Sequence, residues 1–154
     1  MMYSILSLLH SIVPAKPAYA HCDIPCGIYT PEPALTAAKT VVRMAQLIQE
    51  LEPPNFLNFN AETAKGKANS LVRYIAVKEE HAQICKKELL ILWTDYFKSE
   101  HLGVFPNLHE TFWKATKLCS QVKQNASVET ARALKAAVDE IAEMFRAIED
   151  KKSQ

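Results

Sequence analysis

Four stretches of this chain repeat apolar side chains at helical spacing, and no stretch alternates apolar with polar residues over the length of a strand. The first stripe is Leu35, Ala38, Val42, Ala45 and Ile48, stopped by Pro53-Pro54. The second is Leu71, Ile75, Ala82, Cys85, Leu89, Leu92 and Tyr96, with a start made uncertain by Gly66. The third, behind a Pro106 that suits a helix's first turn, is Leu108, Phe112, Ala115, Cys119 and Val122. The fourth, capped by Asn125 or Ser127, is Leu134, Val138, Ile141, Phe145 and Ile148. With modest connections and only 3 glycines in the chain, the pattern predicts an all-α fold, an antiparallel four-helix bundle over residues 33–150.

Length and composition fit one domain. The 154 residues are enough to bury a substantial core, and 49% hydrophobic with 23% charged residues is ordinary globular usage. Lys and Arg number 18 against 17 Asp and Glu, which gives no basic signature for nucleic acid, and no stretch is long enough to span a membrane. Cys85 and Cys119 fall on apolar helix faces and read as buried core thiols.

Cys22 and Cys26 are different: they bracket Pro25 in a segment, His21-Cys22-Asp23-Ile24-Pro25-Cys26, that cannot be regular helix. Just before it stands Ala18-Tyr19-Ala20, a small-x-small site of the kind proteases cut, preceded by the short apolar run from Ile5 to Val13. Cleavage after Ala20 would remove residues 1–20 as a leader and make His21 the N-terminus of a mature domain, 21–154. No Lys or Arg precedes the apolar run, so the export reading is weakened and a cytoplasmic location is expected, with export the alternative. On this view the leader keeps the His21 nitrogen an amide until a protease frees it.

A free His21 offers an α-amine with an unperturbed pKa near about 8, and the thiols lie near about 8.5, so a bound cation strips both at neutral pH. The Cys22 amide nitrogen sits in a five-membered chelate position beside the amine. Two nitrogens and two thiolates in a plane suit nickel or copper, with the His21 imidazole able to reach an axial position, and such donors favour a one-electron redox cycle. The cysteines alone are equally compatible with a Cys22-Cys26 disulfide in an exported protein.

The stretch His21-Cys22-Asp23-Ile24-Pro25-Cys26-Gly27-Ile28-Tyr29 resembles the nickel-binding hook of the nickel superoxide dismutase family. Leu92-Trp93-Thr94-Asp95-Tyr96-Phe97-Lys98 is similar to that family's second signature, and Pro106 with Leu108-His109 fits the segment that follows. The resemblance covers residues 21–148 and implies a four-helix bundle assembled as a homohexamer. It implies one nickel ion per chain, held by His21, Cys22 and Cys26, in a hook over residues 21–29. Asp23 and Tyr29 would shape the hook and the anion's approach, with Tyr96 and Lys98 beside them. Pro25 would turn the hook back.

Two departures stand out against the family pattern. Ala37 and His81 occupy the positions where a glutamate and an arginine hold the axial imidazole, so another group must orient His21. An insertion between Phe56 and Tyr74 is expected to lengthen the connection or the start of the second helix. The implied reaction is disproportionation of superoxide, with Lys98 drawing in the anion and Tyr29, Tyr96, water or a thiol relaying protons. The alternatives are a non-catalytic nickel- or copper-binding module and an exported helical protein with a Cys22-Cys26 disulfide.

Overall fold

The computed structural model describes residues 28–52 and 60–152. The expected leader over 1–20 and the hook residues His21, Cys22, Asp23 and Cys26 lie outside the described residues. Four helices make up the body: α1 Glu32–Glu50, α2 Ala61–Ile91, α3 Leu108–Gln124 and α4 Val128–Lys152. α2 runs on into a π-helical turn, Leu92–Tyr96, and a 3₁₀ turn, Ser99–Gly103, leads to α3. Each helix packs against two neighbours, α1 on α2 and α4, α3 on α2 and α4. This is a closed up-and-down square of four helices, as the stripes predict.

The ends of the helices follow from local chemistry. α1 begins with Glu32 and Pro33, an acidic residue facing the helix dipole and a proline where no intrahelical N–H is needed. Asn60 caps α2, its side-chain oxygen accepting from the amides of Glu62 at 2.9 Å and Thr63 at 3.2 Å. Ser127 caps α4 by accepting from the Thr130 amide at 3.0 Å, and Asn125 accepts from the Ser127 amide at 3.1 Å, so both candidate residues take part. Pro106 stands two residues ahead of α3 rather than in its first turn. Asn107 takes the cap position, and the turn around the proline closes through the Leu108 amide on the Phe105 carbonyl at 3.1 Å.

The third and fourth stripes are buried at every predicted position. Phe112, Leu89, Leu108, Leu134 and Ile141 are the largest sealed side chains, and each contributes on the order of 1.5–3 kcal/mol by leaving water. Cys85 and Cys119 are free and fully buried, as their faces predict.

The second stripe departs from expectation in its first half. Ala82, Cys85, Leu89, Leu92 and Tyr96 are buried, but Leu71 and Ile75 are each 38% exposed. The reason is where α3 stops. The Lys78 ammonium, itself buried, donates to the Val122 carbonyl and to the Asn125 carbonyl at 2.7 Å, and thereby closes the C-terminus of α3 at the level of residue 78. Everything in α2 before Lys78 runs past that end, with α1 beside it: Lys67 reaches the Glu52 side chain at 3.6 Å, and Met44 lies near Tyr74 and Val77. The stretch from residue 61 onward, where a longer connection or helix start is expected, is helix.

Candidate functional site

The site is built where α2 ends. A π-helical turn widens the backbone from Leu92 to Tyr96, closed by the Phe97 amide on the Leu92 carbonyl at 3.0 Å. Such a turn carries one residue more than an α-turn and so rotates the side chains that follow it, a device common at functional sites. Here it turns Tyr96 into the bundle. The Tyr96 ring is 7% exposed and packs against Phe145 at 4.3 Å between centroids and against Phe97 at 5.0 Å, edge on.

Tyr29 meets this ring from the N-terminal side. The two rings stand edge to face, 5.8 Å apart and inclined by 63°. Two residues 67 positions apart in sequence, both implied by the resemblance, are thus brought into contact. Tyr29 is one residue from the first described residue, Ile28, and follows Cys26 by three positions in sequence.

The Tyr96 hydroxyl donates to Glu149 Oε1 at 2.5 Å. Burial first, then this bond and the carboxylate's charge, push the Tyr96 pKa well above the ordinary phenol value. Glu149 in turn accepts from the Lys152 ammonium at 2.7 Å, and that bond, with the one from Tyr96, holds the carboxyl below its usual range. The same ammonium lies 4.7 Å from the centroid of the Tyr96 ring, within cation–π distance.

Lys98 follows Tyr96 by two residues and is exposed. Its backbone amide donates to His101 Nδ1 at 3.1 Å, and the His101 amide returns to the Lys98 carbonyl at 3.0 Å. A neutral His101 therefore carries its proton on Nε2. This imidazole is buried, 6.1 Å from the Tyr96 ring, and burial pushes its pKa below the ordinary histidine value. Two lysine ammoniums, Lys98 and Lys152, act on the His101 imidazole as positive charges, and Glu100 and Glu149 act on it as negative ones.

Glu149, Lys152 and His101 are absent from the sequence reading. Glu149 stands one residue past the Ile148 end of the fourth stripe, in the run Glu149-Asp150-Lys151-Lys152 that reads as a solvated helix end. The available signal was spacing: Glu149 lies one turn beyond Phe145, on the face that packs against Tyr96. Ala37 is buried in α1 and His81 half-buried in α2, where its Nδ1 lies 2.9 Å from the Val77 carbonyl. His81 thus has a partner in its own helix.

No group of three or more His, Cys, Asp or Glu side chains able to hold a metal occurs among the described residues. Residues 53–59 and 153–154 contain none of these types, so a protein metal site must draw on residues 1–27. Within them His21, Cys22 and Cys26 fall inside six positions of sequence, and their imidazole and thiol groups are donor types that fit a soft, redox-active divalent ion.

Comparison with known proteins agrees with this chemistry. The family model described as nickel-containing superoxide dismutase matches residues 16–149. A nickel superoxide dismutase of Streptomyces seoulensis is 36% identical over 126 residues, which cover 81% of this chain and 82% of the relative. One of Streptomyces coelicolor is 29% identical over 113 residues, 73% of this chain and 76% of the relative. A native nickel superoxide dismutase structure matches with a TM-score of 0.68 at 26% identity, over 84% of this chain and 99% of that one.

Proposed function

The chain belongs to the nickel-containing superoxide dismutase family, and we propose that it converts superoxide to dioxygen and hydrogen peroxide at a nickel site carried by residues 21–29. The observation that supports this reading is the Tyr29–Tyr96 contact, since Tyr29 stands three positions after Cys26 in sequence and Tyr96 lies among aromatic rings with the Lys152 ammonium over it. Nickel is the cofactor, one ion per chain, and when bound it supplies the one-electron couple that disproportionation needs.

The chain's own residues do the rest. His21 through its amine and imidazole, Cys22 through its amide and thiolate and Cys26 through its thiolate would hold the ion, and Asp23 would shape the hook and the anion's approach. Lys98 and Lys152 raise the local concentration of a small anion in front of Tyr29 and Tyr96. Tyr96 keeps its proton across the neutral range, because burial and Glu149 both oppose ionisation. It therefore positions Tyr29 and closes off the bundle, and the two protons of peroxide formation come through water or the Tyr29 side of the site.

The leader is proposed to be removed after Ala20 by a protease, since the His21 amine exists only in the cleaved chain. Cytoplasmic residence is proposed from the missing basic start of the leader. A homohexamer is proposed from family membership.

The deciding experiment is mass spectrometry with metal analysis on the purified protein. A mature mass beginning at His21, one nickel per chain, and dismutase activity lost in Cys22→Ser are the expected results. A chain that begins with Met before His21 should bind nickel poorly, because its His21 nitrogen is an amide. A different mature start, or full activity with the amine blocked, overturns the proposed site.

A further inference from the structure

We propose that Cys85 and Cys119 form a peroxide-oxidisable dithiol, distinct from the hook cysteines, that closes into a disulfide joining α2 to α3. Both thiols are free, both are fully buried, and they sit on facing helices. Two cross-helix hydrogen bonds close to them fix the register of α2 against α3. Lys86 donates to the Ser120 hydroxyl at 3.2 Å, one residue along from each cysteine, and Lys123 donates to the Gln83 side chain at 3.0 Å. With that register held, Cys85 and Cys119 sit opposite each other across the α2–α3 contact, near enough for each thiol to act on the other's ionisation. A disulfide needs two opposed sulfurs on backbones already close, and the small side chains Ala82 and Ala115, buried on the same faces, favour a close approach of the two helices.

The two sulfurs are also unequal. The hydrogen bond from Cys85 lowers the Cys119 pKa, with the Lys86 and Lys123 ammoniums acting the same way against the cost of burial. Donating that bond, together with burial, pushes Cys85 far up. Cys119 is the attacking thiolate and Cys85 the resolving thiol.

In the first step the Cys119 sulfur takes one oxygen of hydrogen peroxide. The O–O bond breaks, Cys119 becomes a sulfenic acid, and the departing hydroxide is protonated to water. In the second, the Cys85 sulfur gives up its proton and attacks the Cys119 sulfur. The S–O bond breaks, and the leaving hydroxide takes that proton as a second water. Two thiols and one peroxide become one disulfide and two waters, the two sulfurs supplying both electrons. The thiols are sealed in the core, so the reaction waits on local opening of the α2–α3 contact and is slow beside the chemistry at the bundle's end. The oxidant is the product that dismutation releases, but the chemistry requires only peroxide.

The test uses the whole protein, treated with hydrogen peroxide and then digested without reduction after alkylation. The expected product is a peptide pair linked through Cys85 and Cys119, lighter by two hydrogens, with a Tm raised by roughly 5 °C or more and restored by a thiol reductant. In Cys85→Ala and in Cys119→Ala no disulfide can close, so the peroxide-induced rise in Tm should be absent from both. The proposal is overturned if both thiols alkylate fully after a peroxide dose that oxidises them in urea. It is equally overturned if they oxidise separately to sulfinic acids, or if either pairs with Cys22 or Cys26.

Discussion

The hydroxyl of Tyr96 donates to the carboxylate of Glu149 at 2.5 Å, and this bond ties the end of the second helix to the last turn of the fourth. Glu149 is exposed enough to keep its charge, and Lys152 stabilises that charge from the far side. The tyrosine is thereby held protonated and still.

Replacing the carboxylate isolates this effect. In Glu149→Gln the hydrogen bond can persist but the negative charge is gone, so the Tyr96 pKa falls toward the ordinary phenol value while burial keeps it partly raised. A phenolate difference spectrum of the wild type should show one tyrosine titrating well above the rest, and that late step should move down in the variant. The raised pKa also stabilises the fold below about pH 10 and that contribution is lost as pH rises above it. Glu149→Gln should flatten the alkaline fall in Tm, and an unchanged alkaline profile would contradict the assignment.

His101 governs the opposite limb. Its folded pKa lies below the unfolded value of 6.5, so the neutral form is favoured in the native state. The stability this provides is fully present above pH 6.5 and is lost as pH falls through the folded pKa. The groups acting on the ring are Glu100, Lys152, Lys98 and Glu149, with burial outweighing them all. His101→Asn offers the Lys98 amide an acceptor in place of Nδ1 but has no proton to gain. Its Tm should decline less between pH 6.5 and 5 than that of the wild type, as differential scanning calorimetry will read.

Charge at the bundle end should appear in the salt dependence of turnover. Lys98→Gln is expected to lower kcat/KM for superoxide several-fold at low ionic strength, and the gap should shrink as salt is added, since both proteins are then screened. Pulse radiolysis at increasing salt measures it. A deficit that does not change with salt would assign Lys98 a role other than attraction.

Gly66 tests the added helix. It lies inside α2, exposed, and a Cβ built there meets nothing within 4 Å. Gly66→Ala should therefore stabilise the protein by about 0.4–1 kcal/mol through the unfolded chain's lost freedom. Urea unfolding with an unchanged slope and a higher midpoint is the expected outcome. Destabilisation would mean that this stretch is not helical in solution.

The stripes of α3 and α4 were legible because every residue in them has a helix on the other side. Leu71 and Ile75 follow the same spacing, but periodicity reports which side chains share a face and not whether another helix reaches that far. The stop signal lay elsewhere, at Asn125 and in the lone buried Lys78 that seals it. The meeting of Tyr29 and Tyr96 was legible because two short motifs carried them. Glu149 was not: its role comes from an acidic side chain meeting a phenol 53 positions away, a relation that no local pattern encodes.

Chain order gives the Tyr29, Tyr96 and Glu149 grouping a temporal meaning. A ribosome releases the nitrogen and sulfur donors first, Tyr96 later, and the carboxylate that fastens Tyr96 only 53 residues after it. A nascent chain therefore carries the proposed donors, His21, Cys22 and Cys26, long before Tyr96 is pinned. Keeping the His21 amine blocked through synthesis would postpone metal capture until the last helix has arrived, so that the ion is loaded onto a finished protein and not onto a growing one.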